Sequence, residues 1–376
     1  MKNETISIIG CGKIGNAVAY YFAKLGFNNL NLVDLDKETI NQTKLFLNSY
    51  FKNIYYTENW KNSAICILCV PWESTVYFLK EILKLEKKNR PYVVSIARPN
   101  YNEFEMVKNE MENEIFFFSP CGLEPGLTEI FATYLTNRIQ SEIETLNIFC
   151  GGVPLFAKKP LYYSLLYGDK LPIKIRPTWY KQNSAICNTM RFEGIEKKFF
   201  DTVGLLEAFH DGMLPFFINS SILKNIKNVS QKTLRWPGYC DTIKLLREFG
   251  LFDENILNEK INISPLDFFH TLLKEKNILN SSFDMTLLKI EAITTKNKIF
   301  NFQLIDHYDD EIKLSSMSKV TGFTACFSAL KILEKDPQQK KYQYPYEFFS
   351  DSDIKQLINE MKIYCNTKFL ENGDLI

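Results

Sequence analysis

The 376-residue chain has almost no net charge, and this argues against nucleic acid and anionic membranes as partners. Its 45 basic and 44 acidic side chains give a formal net charge of +1. It therefore lacks the summed electrostatic field that draws proteins to nucleic acid or to an anionic membrane surface. It also lacks any apolar stretch near the ~20 residues that a membrane-spanning helix needs. We expect a small-molecule substrate and other copies of the chain as partners, and neither nucleic acid nor membrane.

The nine cysteines lack the spacing of a disulfide framework or of a metal site. Their number is odd, their spacing is irregular, and no signal peptide precedes the first predicted strand, so we expect a reducing cytoplasm. Cys66 and Cys69 form a CxxC pair inside an apolar run. In a strand, residues three apart point to opposite faces, and no second Cys/His pair lies nearby. We expect no metal.

The chain is long enough for more than one hydrophobic core. At 43.9 kDa, with 45% hydrophobic and 24% charged residues, it has the composition of a globular protein, and chains of this size usually divide into domains. The boundaries that we predict are 1–120, 121–312 and 313–376.

The first third alternates short apolar runs with segments of helical spacing, as in a parallel sheet built from βαβ units. Runs without polar alternation indicate strands covered on both faces. The predicted strands are 6–10, 30–34, 53–57, 64–70, 92–97 and 114–119. The predicted helices are 13–25, 36–49, 72–85 and 102–111. The fold class is α/β, a doubly wound Rossmann sheet.

Beyond residue 120 the pattern becomes that of an α+β domain. Residues 144–154 read as a strand that ends in a Gly-Gly turn, and Gly, Pro and aromatic residues interrupt the chain up to Pro237, as in antiparallel regions. Residues 287–295 and 300–308 predict a hairpin, and 319–333 and 354–364 predict helices.

The motif GCGKIG indicates a dinucleotide-binding site because it follows a strand and opens a helix. Gly10 permits a tight turn, Gly12 lets the backbone approach a pyrophosphate, and Gly15 lets helix and strand pack closely. The helix amino terminus adds unpaired N–H groups and a positive dipole. The predicted cofactor contacts here are Gly10, Cys11, Gly12, Lys13, Ile14 and Gly15.

Asp34 ends the second predicted strand, where a carboxylate accepts hydrogen bonds from the adenosine ribose. A carboxylate repels a 2′-phosphate, so NAD is favoured over NADP. Lys37 lies three residues later and is an alternative partner for that phosphate, which keeps NADP as the second choice. Other contacts are expected where neighbouring strands end. These are Cys69, Val70, Pro71 and Ser95, with Arg98 close by.

Several later segments resemble the saccharopine dehydrogenase family, and among its members the shorter lysine 6-dehydrogenase-like proteins. They occur in the family's order across most of the chain, and TLRWPGY is the most specific. The segments are CGLEPG (121–126), CGGVP (150–154), LLEAFHDG (205–212), TLRWPGYCDTIKLLREFGLF (233–252) and KVTGFTA (319–325).

The resemblance implies an NAD(P)-dependent oxidation or reduction of a C–N bond in an amino acid. It also implies C-terminal helices that return to the Rossmann domain and a middle domain that forms a homodimer. The bond is that of lysine's ε-amino carbon in the first hypothesis, and that of saccharopine or a carboxylated polyamine in the second. A third hypothesis is a catalytically silent NAD-binding sensor.

Such a reaction needs a guanidinium for the α-carboxylate and a group that removes an amine proton. Arg235 is the predicted carboxylate clamp, with a salt bridge as its alternative role. The candidates for proton transfer are Glu124, His210 and Asp211. Further substrate contacts are predicted for Tyr239, Arg98, Cys121 and Gly122.

Alternative roles stay open for several of these residues. Glu124 also fits a first-turn helix acid, His210 a structural histidine, and Cys121 a buried, inert thiol. The chain departs from lysine 6-dehydrogenases at two points, since it reads SIARP where they have an acidic residue and Tyr239 where they have histidine. A second carboxylate of a saccharopine-type substrate has candidate ligands in Arg98, Lys174, Arg176 and Arg191.

Overall fold

A computed structural model describes residues 4–166, 171–200, 202–256, 262–276 and 283–376. The chain divides into two compact units. Unit 1 contains the chain up to Tyr134 together with Ser318–Asn366. Unit 2 contains Leu135–Met317 together with Thr367–Ile376. The chain passes from unit 1 to unit 2 after Tyr134 and returns to unit 1 after Met317. The boundaries predicted from the sequence lie earlier, at 120/121 and 312/313.

The strands of the described residues follow in chain order. They are β1 (Ile6–Ile9), β2 (Asn29–Val33), β3 (Tyr55–Thr57), β4 (Ile65–Leu68), β5 (Tyr92–Ser95), β6 (Phe117–Phe118), β7 (Ile143–Pro154), β8 (Pro177–Gln182), β9 (Ala185–Met190), β10 (Glu196–Phe200), β11 (Gly204–His210), β12 (Asn228–Arg235), β13 (Asp284–Thr294), β14 (Ile299–His307), β15 (Tyr342–Gln343), β16 (Lys368–Glu371) and β17 (Asp374–Leu375).

The α-helices of the same residues also follow in chain order. They are α1 (Lys13–Lys24), α2 (Lys37–Tyr50), α3 (Trp72–Leu83), α4 (Tyr101–Met111), α5 (Leu127–Arg138), α6 (Pro215–Ile218), α7 (Tyr239–Glu248), α8 (Pro265–Glu275), α9 (Ser316–Lys335), α10 (Pro345–Phe348) and α11 (Asp351–Cys365). Among them, none is both long and apolar enough to cross a membrane.

Unit 1 is built on a seven-stranded parallel sheet with the order β15-β6-β5-β4-β1-β2-β3. The chain order reverses between β1 and β4, which is where doubly wound sheets bind ligands at the carboxyl ends of their strands. All six predicted strands and all four predicted helices are present, so the Rossmann fold class is confirmed. The two-residue strand β15 was not predicted, because it is too short to show a hydrophobic period.

Two helices of unit 1 pack closely because one of them carries a glycine. A Cβ added at Gly322, in α9, would lie 2.9 Å from the Cβ of Ala17 and 3.1 Å from the backbone N of Val18, in α1. Only a residue without a side chain allows this approach. The glycine of KVTGFTA therefore fixes the packing of α9 on the helix that follows the glycine motif.

Unit 2 is built on a mixed ten-stranded sheet. Its main order is β10-β11-β12-β7-β13-β14-β16-β17, and the β8–β9 hairpin joins it through β12. Strands β13 and β14 pair antiparallel, which confirms the hairpin predicted over 287–308. The expectation of antiparallel pairing is wrong for β7 and β12, which are parallel. Phe149, Leu206, Leu234 and Leu287 lie in one buried cluster of this unit.

The predicted Gly-Gly turn at the end of the 144–154 strand is wrong. Gly151 and Gly152 lie inside β7 and pair with β13. A Cβ at Gly151 would lie 2.5 Å from the carbonyl oxygen of Leu234, and one at Gly152 would overlap the Met317 side chain. The two glycines therefore permit close packing within the sheet rather than a change of chain direction.

Candidate functional site

The glycine motif forms a tight connection between β1 and α1 in unit 1. Gly10 has φ +92°, and a Cβ there would lie 2.5 Å from the carbonyl oxygen of Cys69. A Cβ at Gly15 would overlap the carbonyl oxygen of Gly10. Gly10 and Gly15 are therefore required for the local fold.

Gly12 differs from Gly10 and Gly15, the other two glycines of the motif, because the space around it is open. It is exposed and precedes the first turn of α1, and a Cβ added there would have no atom of the described residues within 4 Å apart from those of its neighbours in the chain. The side chains of the described residues therefore leave the amino end of α1 open. An open, glycine-lined helix amino terminus fits a diphosphate group, which accepts hydrogen bonds from backbone N–H groups.

Asp34 lies at the carboxyl end of β2, and two backbone N–H groups orient its carboxylate. Cys11 N donates to Asp34 Oδ2 at 2.7 Å, and Asp36 N donates to Oδ1 at 3.0 Å. Asp36 in turn caps α2 through Glu38 N and Thr39 N. The predicted ribose ligand is thus held in a fixed place next to the glycine motif.

The remaining predicted cofactor residues lie at the carboxyl ends of β4 and β5. Cys69 N donates to the carbonyl of Ile9 at 2.7 Å. A Cβ added at Gly10 would lie 2.8 Å from Val70 Cγ1, and Pro71 directly precedes α3. Ser95 is buried and accepts a hydrogen bond from Ala97 N at 3.2 Å. Unit 1 therefore brings the predicted cofactor residues together along one edge of its sheet, with Lys13 and Ile14 in the first turn of α1.

Burial keeps the thiols at this edge protonated by raising their pKa. Burial is the main cause that raises the pKa of Cys11 and of Cys121 to about 12 in each case, and it raises the pKa of Cys69 as well. Since the thiolate is the nucleophile, neutral thiols of this kind are poor nucleophiles. Among the described residues, no group of three His, Cys, Asp or Glu side chains is arranged to hold a metal ion.

The CGLEPG segment forms a compact turn between β6 and α5. Gly122 N donates to the carbonyl of Pro125 at 3.0 Å, and Cys121 N donates to that of Ser95 at 2.8 Å. Glu124 is half-buried in this turn, and Arg98 is half-buried after β5. The predicted substrate residues Arg98, Cys121, Gly122 and Glu124 thus belong to unit 1, whereas His210, Asp211, Arg235 and Tyr239 belong to unit 2.

Arg235, at the end of β12, lies against two tyrosine rings. Its side chain is buried, with 4% exposure, and its guanidinium carbon lies 4.5 Å from the Tyr163 ring centre and 5.6 Å from that of Tyr239. Tyr239 begins α7 and is 1% exposed. Burial raises the pKa of Tyr239, while Arg235 and then Arg191 oppose the shift. The structure brings together the predicted clamp and one predicted substrate contact.

Asp211 contacts two arginines, Arg176 and Arg191, that the sequence analysis gave as candidate ligands for a second substrate carboxylate. Arg176 donates to Asp211 Oδ1 through Nε at 3.0 Å and through Nη2 at 2.8 Å. Arg191 Nε lies 2.9 Å from Oδ2, and Thr233 Oγ1 donates to the same oxygen at 3.3 Å. Asp211 therefore forms a buried ion-pair network, and no local sequence signal indicates it.

His210 is neutral at neutral pH. Burial, and then the nearby Lys232 ammonium group, lower the pKa of His210 to about 4. Its ring stacks on Tyr180 with 4.9 Å between ring centres, and a Cβ at Gly194 would overlap it. These contacts leave His210 a weak base in an aromatic environment.

Comparison with family models decides the classification. The model described as the saccharopine dehydrogenase C-terminal domain matches residues 122–364, which is more than half of the chain. The chain belongs to the saccharopine dehydrogenase family. A second model, described as NADP oxidoreductase coenzyme F420-dependent, matches residues 5–99 of this family member. A comparison with curated protein sequences finds no significant match.

Two solved structures share the fold of this saccharopine dehydrogenase family member. The apo saccharopine dehydrogenase (L-Glu forming) of Saccharomyces cerevisiae has a TM-score of 0.77 at 12% identity and covers 98% of this chain and 99% of its own. The homospermidine synthase of Legionella pneumophila, in complex with NAD, has a TM-score of 0.62 at 12% identity and covers 96% and 89%. At the level of the family, the prediction of an NAD(P)-dependent oxidoreductase acting on C–N bonds is confirmed.

Proposed function

We propose that this protein is an NAD-dependent dehydrogenase that oxidises the ε-amino carbon of lysine. The observation that supports an amino-acid substrate is the buried Arg235 guanidinium, which lies against the Tyr163 and Tyr239 rings. A planar guanidinium binds a carboxylate through two parallel hydrogen bonds, and aromatic walls hold it in place. The substrate's α-carboxylate is its proposed ligand.

The glycine motif and Asp34 would hold the dinucleotide. Gly12 and the first turn of α1 offer backbone N–H groups to the diphosphate, and Asp34 accepts hydrogen bonds from the adenosine ribose. When bound, NAD supplies the hydride acceptor. The carboxylate of Asp34 carries a negative charge where a 2′-phosphate would lie, which supports NAD over NADP.

The oxidation transfers a hydride from the ε-carbon and leaves a proton on nitrogen to be removed. We assign the amine proton to the Glu124 carboxylate, which is half-buried in the CGLEPG turn. Asp211 accepts two hydrogen bonds from Arg176 and contacts Arg191, so we propose a structural role for it instead. The resulting imine is hydrolysed by water to an aldehyde and ammonia. We also propose that the protein acts in the cytoplasm as a homodimer.

A saccharopine-type or carboxypolyamine substrate is the second candidate. Arg176 and Arg191 both contact the carboxylate of Asp211, so these three side chains together carry two positive charges and one negative charge. A second substrate carboxylate would balance that excess. This observation supports a dicarboxylic secondary amine as the alternative substrate.

A turnover assay tests the proposed function. With purified protein and NAD, L-lysine should increase the absorbance of reduced nicotinamide, while ornithine, which has one methylene less, should give a rate lower by about tenfold. Turnover on saccharopine but not on lysine would select the second candidate. Tight NAD binding without turnover on any of these amines would contradict both and favour the sensor hypothesis.

Asp34→Ala should weaken NAD binding about tenfold, because it removes charge-assisted hydrogen bonds to the ribose, and it should narrow the gap between the Kd values of NAD and NADP. Isothermal titration with both nucleotides measures the effect. Glu38→Ala is the control, since it removes an exposed carboxylate from the first turn of α2. Unchanged affinity for both nucleotides in Asp34→Ala would show that the ribose lies elsewhere.

A further inference from the structure

Thr43 places a hydroxyl group in the buried face of α2. This helix buries Ile40, Thr43 and Leu47, which follow the spacing of an apolar helix face. Thr43 is 2% exposed. A buried hydroxyl is costly unless it forms a hydrogen bond, so its partner indicates why a threonine occupies this position.

The partner is the glycine motif, 32 residues earlier in the chain. Thr43 Oγ1 donates to the carbonyl oxygen of Cys11 at 3.1 Å in a buried hydrogen bond. The N–H of the same residue donates to Asp34 Oδ2 at 2.7 Å. The backbone of Cys11 is therefore fixed on both sides, by Asp34 at its nitrogen and by Thr43 at its oxygen.

Fixing the Cys11 carbonyl also fixes the N–H of Gly12. The two groups belong to one planar trans peptide, in which C=O and N–H point in opposite directions. Because the carbonyl points to Thr43, the Gly12 N–H points away from α2. No protein acceptor within the described residues takes this N–H, and the space around Gly12 is open.

We propose that Thr43 is a positioning residue that directs the Gly12 N–H toward the diphosphate of a bound dinucleotide. The inference rests on the proposed nucleotide site and adds to it a residue that lies outside the glycine motif. The ligand class is a diphosphate ester. A hydroxyl on α2 thus presets the donor, so that binding does not require the Cys11–Gly12 peptide to reorient.

The test compares ligands with and without the diphosphate. The affinities of ADP-ribose and adenosine are measured by competition against NADH fluorescence in the wild type, Thr43→Val and Thr43→Ser. Thr43→Val should weaken ADP-ribose binding about fivefold and leave adenosine binding unchanged. Thr43→Ser retains the hydroxyl and should restore the ratio of the two affinities. Thr43→Ala replaces Thr43→Val if that variant does not fold.

Thr178→Val is the matched control, because Thr178 is also buried and its hydroxyl donates to a distant carbonyl, that of Met213 at 3.2 Å. It should leave the affinity ratio unchanged. Equal losses for ADP-ribose and adenosine in Thr43→Val, or no loss for either, would overturn the positioning role while nucleotide binding stands. Failure of the wild type to bind ADP-ribose would overturn the nucleotide site itself.

Discussion

Gly12→Ala is expected to abolish detectable NAD binding while the free energy of unfolding changes by less than about 1 kcal/mol. The added methyl group enters open space in the free protein, since no described residue other than its neighbours in the chain has an atom within 4 Å of it. The backbone of Gly12 has φ −66°, which alanine adopts without strain. The same methyl group occupies the place through which a diphosphate must approach the backbone. Titration calorimetry with NAD, and urea denaturation, measure the two quantities.

Gly15→Ala is the comparison that separates a ligand contact from a folding requirement. Its methyl group would overlap the Gly10 carbonyl oxygen, so the β1–α1 connection must shift even without a ligand. We expect this variant to lose several kcal/mol of stability, as overpacking a close backbone contact does. A Gly12→Ala protein that binds NAD like the wild type would show that the diphosphate does not approach the α1 amino terminus.

The glycine motif was predictable because its signals are local. A strand, three spaced glycines and a helix follow one another within Ile6–Lys24, and Asp34 directly follows the next strand. Each of these signals acts through a short stretch of backbone. The bond from Thr43 to Cys11 joins residues 32 apart, and a threonine in an amphipathic helix shows no pattern that reveals its partner.

Unit 2 was less predictable for the same physical reason. The predicted β13–β14 hairpin is local, and it is present. The parallel pairing of β7 with β12 joins segments about eighty residues apart in the chain. The Gly-Gly pair of β7 resembles a turn signal, and only its distant neighbours Leu234 and Met317 show that it serves close packing.

The network around Asp211 was likewise beyond sequence reasoning. Arg176 lies 35 residues before Asp211, and both arginines read as candidate ligands for a substrate carboxylate. In the structure both arginines contact Asp211. A stability measurement separates the predicted role of Asp211 in proton transfer from a structural role in this ion-pair network.

Asp211→Ala is expected to lower the free energy of unfolding by about 3–5 kcal/mol, because it leaves the buried Arg191 guanidinium without its carboxylate. Asp211 is 2% exposed and Arg191 is 3% exposed, so water cannot replace the lost partner. Urea denaturation measures the change. Asp310→Ala is the control, since it breaks an exposed pair with Lys313 that contributes about 1 kcal/mol or less.

A combined substitution tests the physical cause. If the loss in Asp211→Ala comes from an uncompensated buried charge, adding Arg191→Met should recover part of the stability, because an apolar side chain of similar length removes that charge. If Asp211→Ala unfolds like the wild type but loses lysine turnover, the carboxylate acts in proton transfer and the ion-pair explanation is wrong. A stability loss that Arg191→Met partly reverses would instead place Asp211 in the framework that supports unit 2.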